Sequence, residues 1–173
     1  MPHYDILPRD PNTGCVHVVI DTPRMSRAKY KHDEATGLFW VSKLLPLGHY
    51  FPYNFGYIPG TMGGDGDPLD VLVLTDEPFV LGTVATVRLV GILKGLQTEG
   101  GETVRNDRLL GVFEGRYNPA EVTDITGLHD QQLKEIEHFF VSYNQLAGRT
   151  FTPDGREGAP AANAMVDDNV QKT

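Results

Sequence analysis

Asp65, Asp67 and Asp70 fall within six residues of one another in the segment 64–74 (GDGDPLDVLVL), immediately before a run of apolar residues. Carboxylates crowded in this way raise one another's pKa unless a cation neutralises them, so the pattern reads as a site for a hard divalent metal. Gly66 and Pro68 suit a tight turn, and a turn leading into a rigid strand can aim side chains at one point. A solvated acidic loop is the alternative reading. An EF-hand does not fit, because its loop needs Gly at the sixth position and Glu at the twelfth, where this chain has Asp70 and Asp76.

Two further groups could work with that cluster. Lys29, Lys31 and Lys43 lie on or beside early strand-like runs; they are either a solvated basic face or, if those strands surround the aspartates, phosphate ligands acting as point charges. The segment 50–60 (YFPYNFGYIPG) interleaves five aromatic residues with Pro52, Asn54, Gly56 and Pro59. Such residues are usually core, but the segment could also wall a pocket, with Asn54 facing substrate or holding loops. The histidines form no ligand pair at helical spacing, and there is no nucleophile elbow, GxGxxG or Walker loop. Nucleotide and hydride chemistry therefore have no support.

The elements that must position these groups are mostly strands. Short β-type runs at 16–20, 38–41 and 71–74 are separated by Gly, Pro and Asn. The longest run is 83–94 (TVATVRLVGILK), and 108–113 follows as another strand, a barrel or sandwich signature. The stretch 97–107 (QTEGGETVRND) reads as an exposed hairpin tip. Leu133, Ile136, Phe140, Tyr143 and Ala147 step by three and four, which predicts a helix stopping near Gly148 and covering the sheet. The segment 152–160 reads as a Gly- and Pro-rich loop, followed by an alanine-rich helical turn and a frayed polar end.

With 173 residues, 40% of them hydrophobic and spread along the chain, a single domain over 1–173 is expected. The net charge of −8 argues against nucleic-acid binding, which needs clustered Lys and Arg. It is compatible with phosphate chemistry assisted by cations. No apolar run approaches a membrane span, and the first residues lack a basic start and an apolar signal core, so a cytoplasmic location is expected. The single cysteine, Cys15, reads as a packed small hydrophobe.

The segment 64–74 also resembles the DGDPxDVLV signature of the family I soluble inorganic pyrophosphatases. VVIDTP, AKYKHDEATGLFWVSK, YFPYNFGYIPGT, VGILK and IEHFFVSYN follow in the family's order and approximate spacing, from about Val16 to Leu146. The resemblance implies a mainly β, α+β fold: a five-stranded OB-like barrel with flanking helices. It implies Mg²⁺-dependent hydrolysis of pyrophosphate to two phosphates by a metal-activated water, with Mn²⁺ as an alternative cation. A homo-oligomer is expected too, hexameric as in compact bacterial members.

Carried over residue by residue, Asp65, Asp67 and Asp70 match metal ligands and water-orienting carboxylates, while Lys29 and Tyr143 match phosphate-binding residues. Asp21, among the metal ligands, stands where the family has Glu; Lys43 stands for an Arg; Arg108 joins the phosphate ligands. Other departures are Lys31 for a Glu, Phe51 and Phe55 for Tyr, Gln97 and Asn106 for Asp, and Asn144 for Lys. Sliding the register of 97–107 by one would offer Asp107 in place of Asn106, and Glu99 or Glu102 could approach from the loop, but adjacent strand residues cannot both face one site. If the replacements all stand, about half of the usual carboxylates remain and fewer metals are held, with Lys31 available as compensation. Two alternatives follow: a weakly catalytic or non-catalytic paralogue serving as a metal/phosphate-binding or interaction protein, and a hydrolase of another small phosphorylated substrate.

Overall fold

The computed structural model describes residues 7–115 and 121–171. Among the described residues nine strands and two helices follow in order: β1 Val16–Thr22, β2 Ala28–Asp33, β3 Leu38–Leu44, β4 Asn54–Tyr57, β5 Asp70–Leu74, β6 Val84–Glu99, β7 Glu102–Arg105, β8 Arg108–Phe113, α1 Asp130–Leu146, β9 Thr150–Gly158 and α2 Ala159–Asn169. A single 3-10 turn, Ile125–Gly127, precedes α1.

Hydrogen-bonded pairing runs β1–β4–β5–β8–β6, and β6 pairs back to β1, which closes a ring of five strands. Closure requires β6 to serve several neighbours in turn. Its first residues pair with β1, its middle with β8, and its far half with β9 and β7. All ring pairings are antiparallel except β5 with β8. The β2–β3 hairpin forms a separate two-stranded sheet.

Strand β5 shows why its sequence is continuously apolar rather than alternating. Val71 and Val73 join one buried cluster with Val16, Val18, Val87 and Leu109, the inside of the ring, which Ala162 and Val166 of α2 also enter. Leu72 and Leu74 point the other way, into a second cluster with Leu133, Ile136 and Phe140 of α1. A strand buried on both faces needs apolar residues at every position. Each such side chain contributes roughly 1.5–3 kcal/mol of burial. Gly56 and Gly111 mark where the ring is tightest: a Cβ on Gly56 would lie 2.3 Å from the Val19 carbonyl oxygen, and one on Gly111 would lie 2.2 Å from Val87.

The predicted α1 stripe is present up to Tyr143: Leu133, Ile136 and Phe140 are buried and Tyr143 is half-buried, whereas Ala147 is exposed at the C-cap because the helix ends at Leu146, and Gly148, at φ 75°, follows. The reading of 152–160 is corrected. Most of it is strand β9, antiparallel to β6, and the loop-like composition is absorbed by a register shift that sets Pro153 opposite Gly95 and by Gly155 at φ 120°. Strands tolerate Pro and Gly at an edge or bulge. The helix after it is also longer than one turn, and Val170 bridges back to Thr61. Residues 1–6 and the polar end at 172–173 lie outside the described residues. Within 97–107 only Gly100 and Gly101 form the turn, and the flanking residues pair as strands. No helix among the described residues is long and apolar enough to cross a membrane.

Candidate active site

The strand register brings the chemistry-bearing residues to one end of the ring. Because β5 and β8 are parallel with Val71 opposite Leu109, their first residues, Asp70 and Arg108, are neighbours; Arg108 Nη1 lies 2.9 Å from Asp70 Oδ2. On β1 the pairing with β4 skips from Ile20 to Thr22, so Asp21 is the extra residue of a bulge. Bulges re-aim a side chain, and this one faces the same cleft. The hairpin supplies the opposite wall. Lys29 pairs directly with Lys43 across β2 and β3, and both line the cleft.

The cleft has a volume of about 490 Å³. Asp21, Lys29, Lys43, Asp65, Asp67, Asp70, Arg108 and Tyr143, the residues singled out in the sequence, all line it. Like charges opposite one another on a hairpin are unfavourable. Here aromatic faces moderate the repulsion: the Lys29 ammonium lies 5.2 Å from the centre of the Phe55 ring and the Lys43 ammonium 4.6 Å from that of Tyr143. Paired cations held towards a cleft suit a polyanion.

Each carboxylate has a different situation. Lys31 Nζ lies 3.2 Å from both oxygens of Asp67. Asp65 Oδ1 accepts from the Asp67 backbone N–H at 3.1 Å, which fixes the turn. Asp21 is only 7% exposed, and its Oδ1 has no hydrogen-bond partner. Burial pushes the Asp21 carboxyl up to about 7, opposed by Lys29 and reinforced by Asp70. Among the described residues no three His, Cys, Asp or Glu side chains gather as a ready-made metal cage. A hard cation nevertheless suits the donor set: four aspartates share the cleft, and the buried Asp21 oxygen lacks a partner.

The register of 97–107 is resolved. Asn106 lines the cleft, donating from Nδ2 to Gln97 Oε1 at 2.7 Å, whereas Asp107 accepts from the Gly95 N–H and Arg105 behind that wall. The neutral pair therefore faces the cleft in place of carboxylates. Glu99 does not compensate, because it pairs with Arg149 at 3.4 Å, and Glu102 is exposed at the hairpin turn. Asn144 also lines the cleft, but its amide donates back to the Phe140 carbonyl.

Phe51 and Phe55 are buried beneath the cleft rather than lining it. Asn54 holds loops: its carbonyl oxygen accepts from the Arg24 and Phe79 N–H groups, and its amide donates to the Glu77 carbonyl. Tyr57, whose hydroxyl lies 3.0 Å from His32 Nδ1, lines the cleft as part of the segment 50–60, and Arg149 lines it without having been singled out in the sequence. Arg149 follows the predicted helix stop, and composition gives no reason to single it out.

A closed five-stranded ring carrying a cleft of facing aspartates and cations defines a β-barrel protein built to handle a small polyanion. A family model described as inorganic pyrophosphatase matches residues 18–173. The inorganic pyrophosphatase of Ralstonia nicotianae is 36% identical over 158 residues, 89% of this chain and 88% of that protein. Soluble inorganic pyrophosphatase 2 of Chlamydomonas reinhardtii is 35% identical over 98% of this chain and 86% of its own length. The crystal structure of the Thermus thermophilus inorganic pyrophosphatase superposes with a TM-score of 0.86 at 32% identity, covering 95% of this chain and 94% of that one. The chain belongs to the inorganic pyrophosphatase family.

Proposed function

We propose that the protein hydrolyses inorganic pyrophosphate to two phosphates. The observation that carries this reading is the single cleft in which Lys29, Lys43 and Arg108 face Asp21, Asp65, Asp67 and Asp70. Lys29 and Lys43 neutralise the anion as point charges, and Arg108, oriented by Asp70, presents its guanidinium to phosphate oxygens. Tyr143, its ring held beneath Lys43, donates its hydroxyl to the leaving phosphate. Asp67 orients the attacking water and accepts its proton. Asp21, Asp65, Asp67 and Asp70 are the residues that would hold Mg²⁺, with Mn²⁺ the alternative. When bound, the cation acidifies a water and screens the developing charge.

A cytoplasmic location and a homo-oligomer, hexameric by resemblance, belong to the same proposal. In support of assembly, β3 and the loop after it expose Trp40, Val41, Leu44 and Leu47. Light scattering of the purified protein tests the assembly.

Phosphate release from pyrophosphate in excess Mg²⁺ tests the activity, with Asp67→Asn as the control against contaminating enzyme. Turnover abolished by that substitution is the expected result. Absence of release from a folded wild-type protein overturns the proposal and favours a binding paralogue.

A further inference from the structure

Five carboxylates line the cleft, Asp21, Glu34, Asp65, Asp67 and Asp70, and four cations largely balance them, Lys29, Lys31, Lys43 and Arg108; a fifth, Arg149, is paired with Glu99 outside the lining. In a chain of net charge −8 this balance is local. Nearby, the wall formed by Gln97 and Asn106 carries no charge, and its amides bond to each other at 2.7 Å. An anionic substrate entering a lining of carboxylates alone would depend on divalent cations for its entire neutralisation. This lining supplies much of the positive charge itself.

Lys31 is central to that balance. β2 carries it to the cleft edge, where its ammonium lies 3.2 Å from each Asp67 oxygen, astride the carboxylate. A hard cation bound to Asp67 would have to displace or adjoin this ammonium, and like charges at such distances repel measurably even through water. We propose that Lys31 is a built-in counter-ion that stands in for one divalent cation at Asp67, so that the cleft binds a diphosphate directly, before and without metal. This rests on the pyrophosphatase reading for the ligand class, but it concerns binding rather than turnover.

The test uses two separate calorimetric titrations of the full-length protein and of Lys31→Gln. One titrates the non-hydrolysable diphosphate analogue imidodiphosphate in EDTA; the other titrates Mn²⁺ alone. Lys31 is exposed, so the variant is expected to fold, and circular dichroism checks this. The expected result is measurable metal-free binding of imidodiphosphate by the wild type, weakened about tenfold in Lys31→Gln, together with Mn²⁺ binding strengthened about tenfold. Opposite movement of the two constants is what a merely structural lysine would not produce. Absence of imidodiphosphate binding in EDTA, or an Mn²⁺ constant unchanged by Lys31→Gln, overturns the inference. Neither result depends on phosphate release, so failure of the hydrolase reading is seen separately in the turnover assay.

Discussion

On the barrel side of the cleft, Asp70 and Arg108 meet with 28% and 15% of their side chains exposed; on the hairpin side, Lys31 and Asp67 meet with 65% and 59% exposed. The first pair is fixed by parallel strand register and sits where water screens poorly. The second depends on a long, solvated lysine reaching an exposed carboxylate, the kind of pair that contributes roughly 0–1 kcal/mol to stability. The comparison separates two tasks. The ring supplies geometry that cannot shift without cost, and the hairpin supplies charge that can move to meet a ligand.

The largest expected effect lies on the ring side. Asp70→Asn should lower phosphate release by about 10²–10³-fold, because it removes a charge from the reacting region and leaves Arg108 without its orienting partner. Steady-state assays in excess Mg²⁺ read this, and a loss smaller than fivefold would show that the ring side is not the rigid centre described. Gly56→Ala should cost about 3 kcal/mol in urea unfolding, since the added methyl would press on backbone rather than on a flexible side chain. A wild-type midpoint in that variant would mean that the ring can yield.

Asp21 gives the comparison a pH dependence. Its folded pKa, about 7, lies above the ordinary 3.8 because the carboxyl is buried. Between these values the folded chain holds a proton that the unfolded chain has released, so stability falls as pH rises through the window, and the loss is complete above about 7. In EDTA, raising the pH from 5 to 8 should cost about 2–3 kcal/mol through this group, and Asp21→Asn should abolish that component. A variant that retains the whole slope would assign it elsewhere. The smallest effect is expected on the hairpin: Lys31→Gln should change unfolding stability by less than about 1 kcal/mol. A larger loss would make Lys31 structural and erase the contrast between the two sides.

The parts legible in the sequence were those whose local pattern agrees with their surroundings. The β8 limits, the α1 stripe and the acidic turn all appear where composition and spacing place them. β9 was not legible because Pro153, Gly155 and Gly158 argue locally for a loop, while pairing to a long neighbour imposes a strand. Residues 97–107 defeated a reading by count because Asn106 and Asp107 form the short connection between β7 and β8, where which side chain faces the cleft is fixed by the hydrogen bonds of Asn106 to Gln97 and of Asp107 to Gly95 and Arg105. Arg149 reaches the cleft through tertiary folding, from a position just after α1 with no local signature of a site.

The five ring strands are complete by Phe113, whereas Tyr143, Asn144 and Arg149 of the cleft come later in the chain. During synthesis the ring strands are therefore made before α1, whose last residue, Leu146, follows Phe113 by 33 residues, a few seconds of elongation at roughly 5–20 residues per second. For that interval Leu72, Leu74 and Leu110 await the cover of α1, and they form the sticky surface a nascent-chain chaperone would meet. The cleft lacks Tyr143, Asn144 and Arg149 until that segment has emerged, so the ring must first stand on its apolar packing.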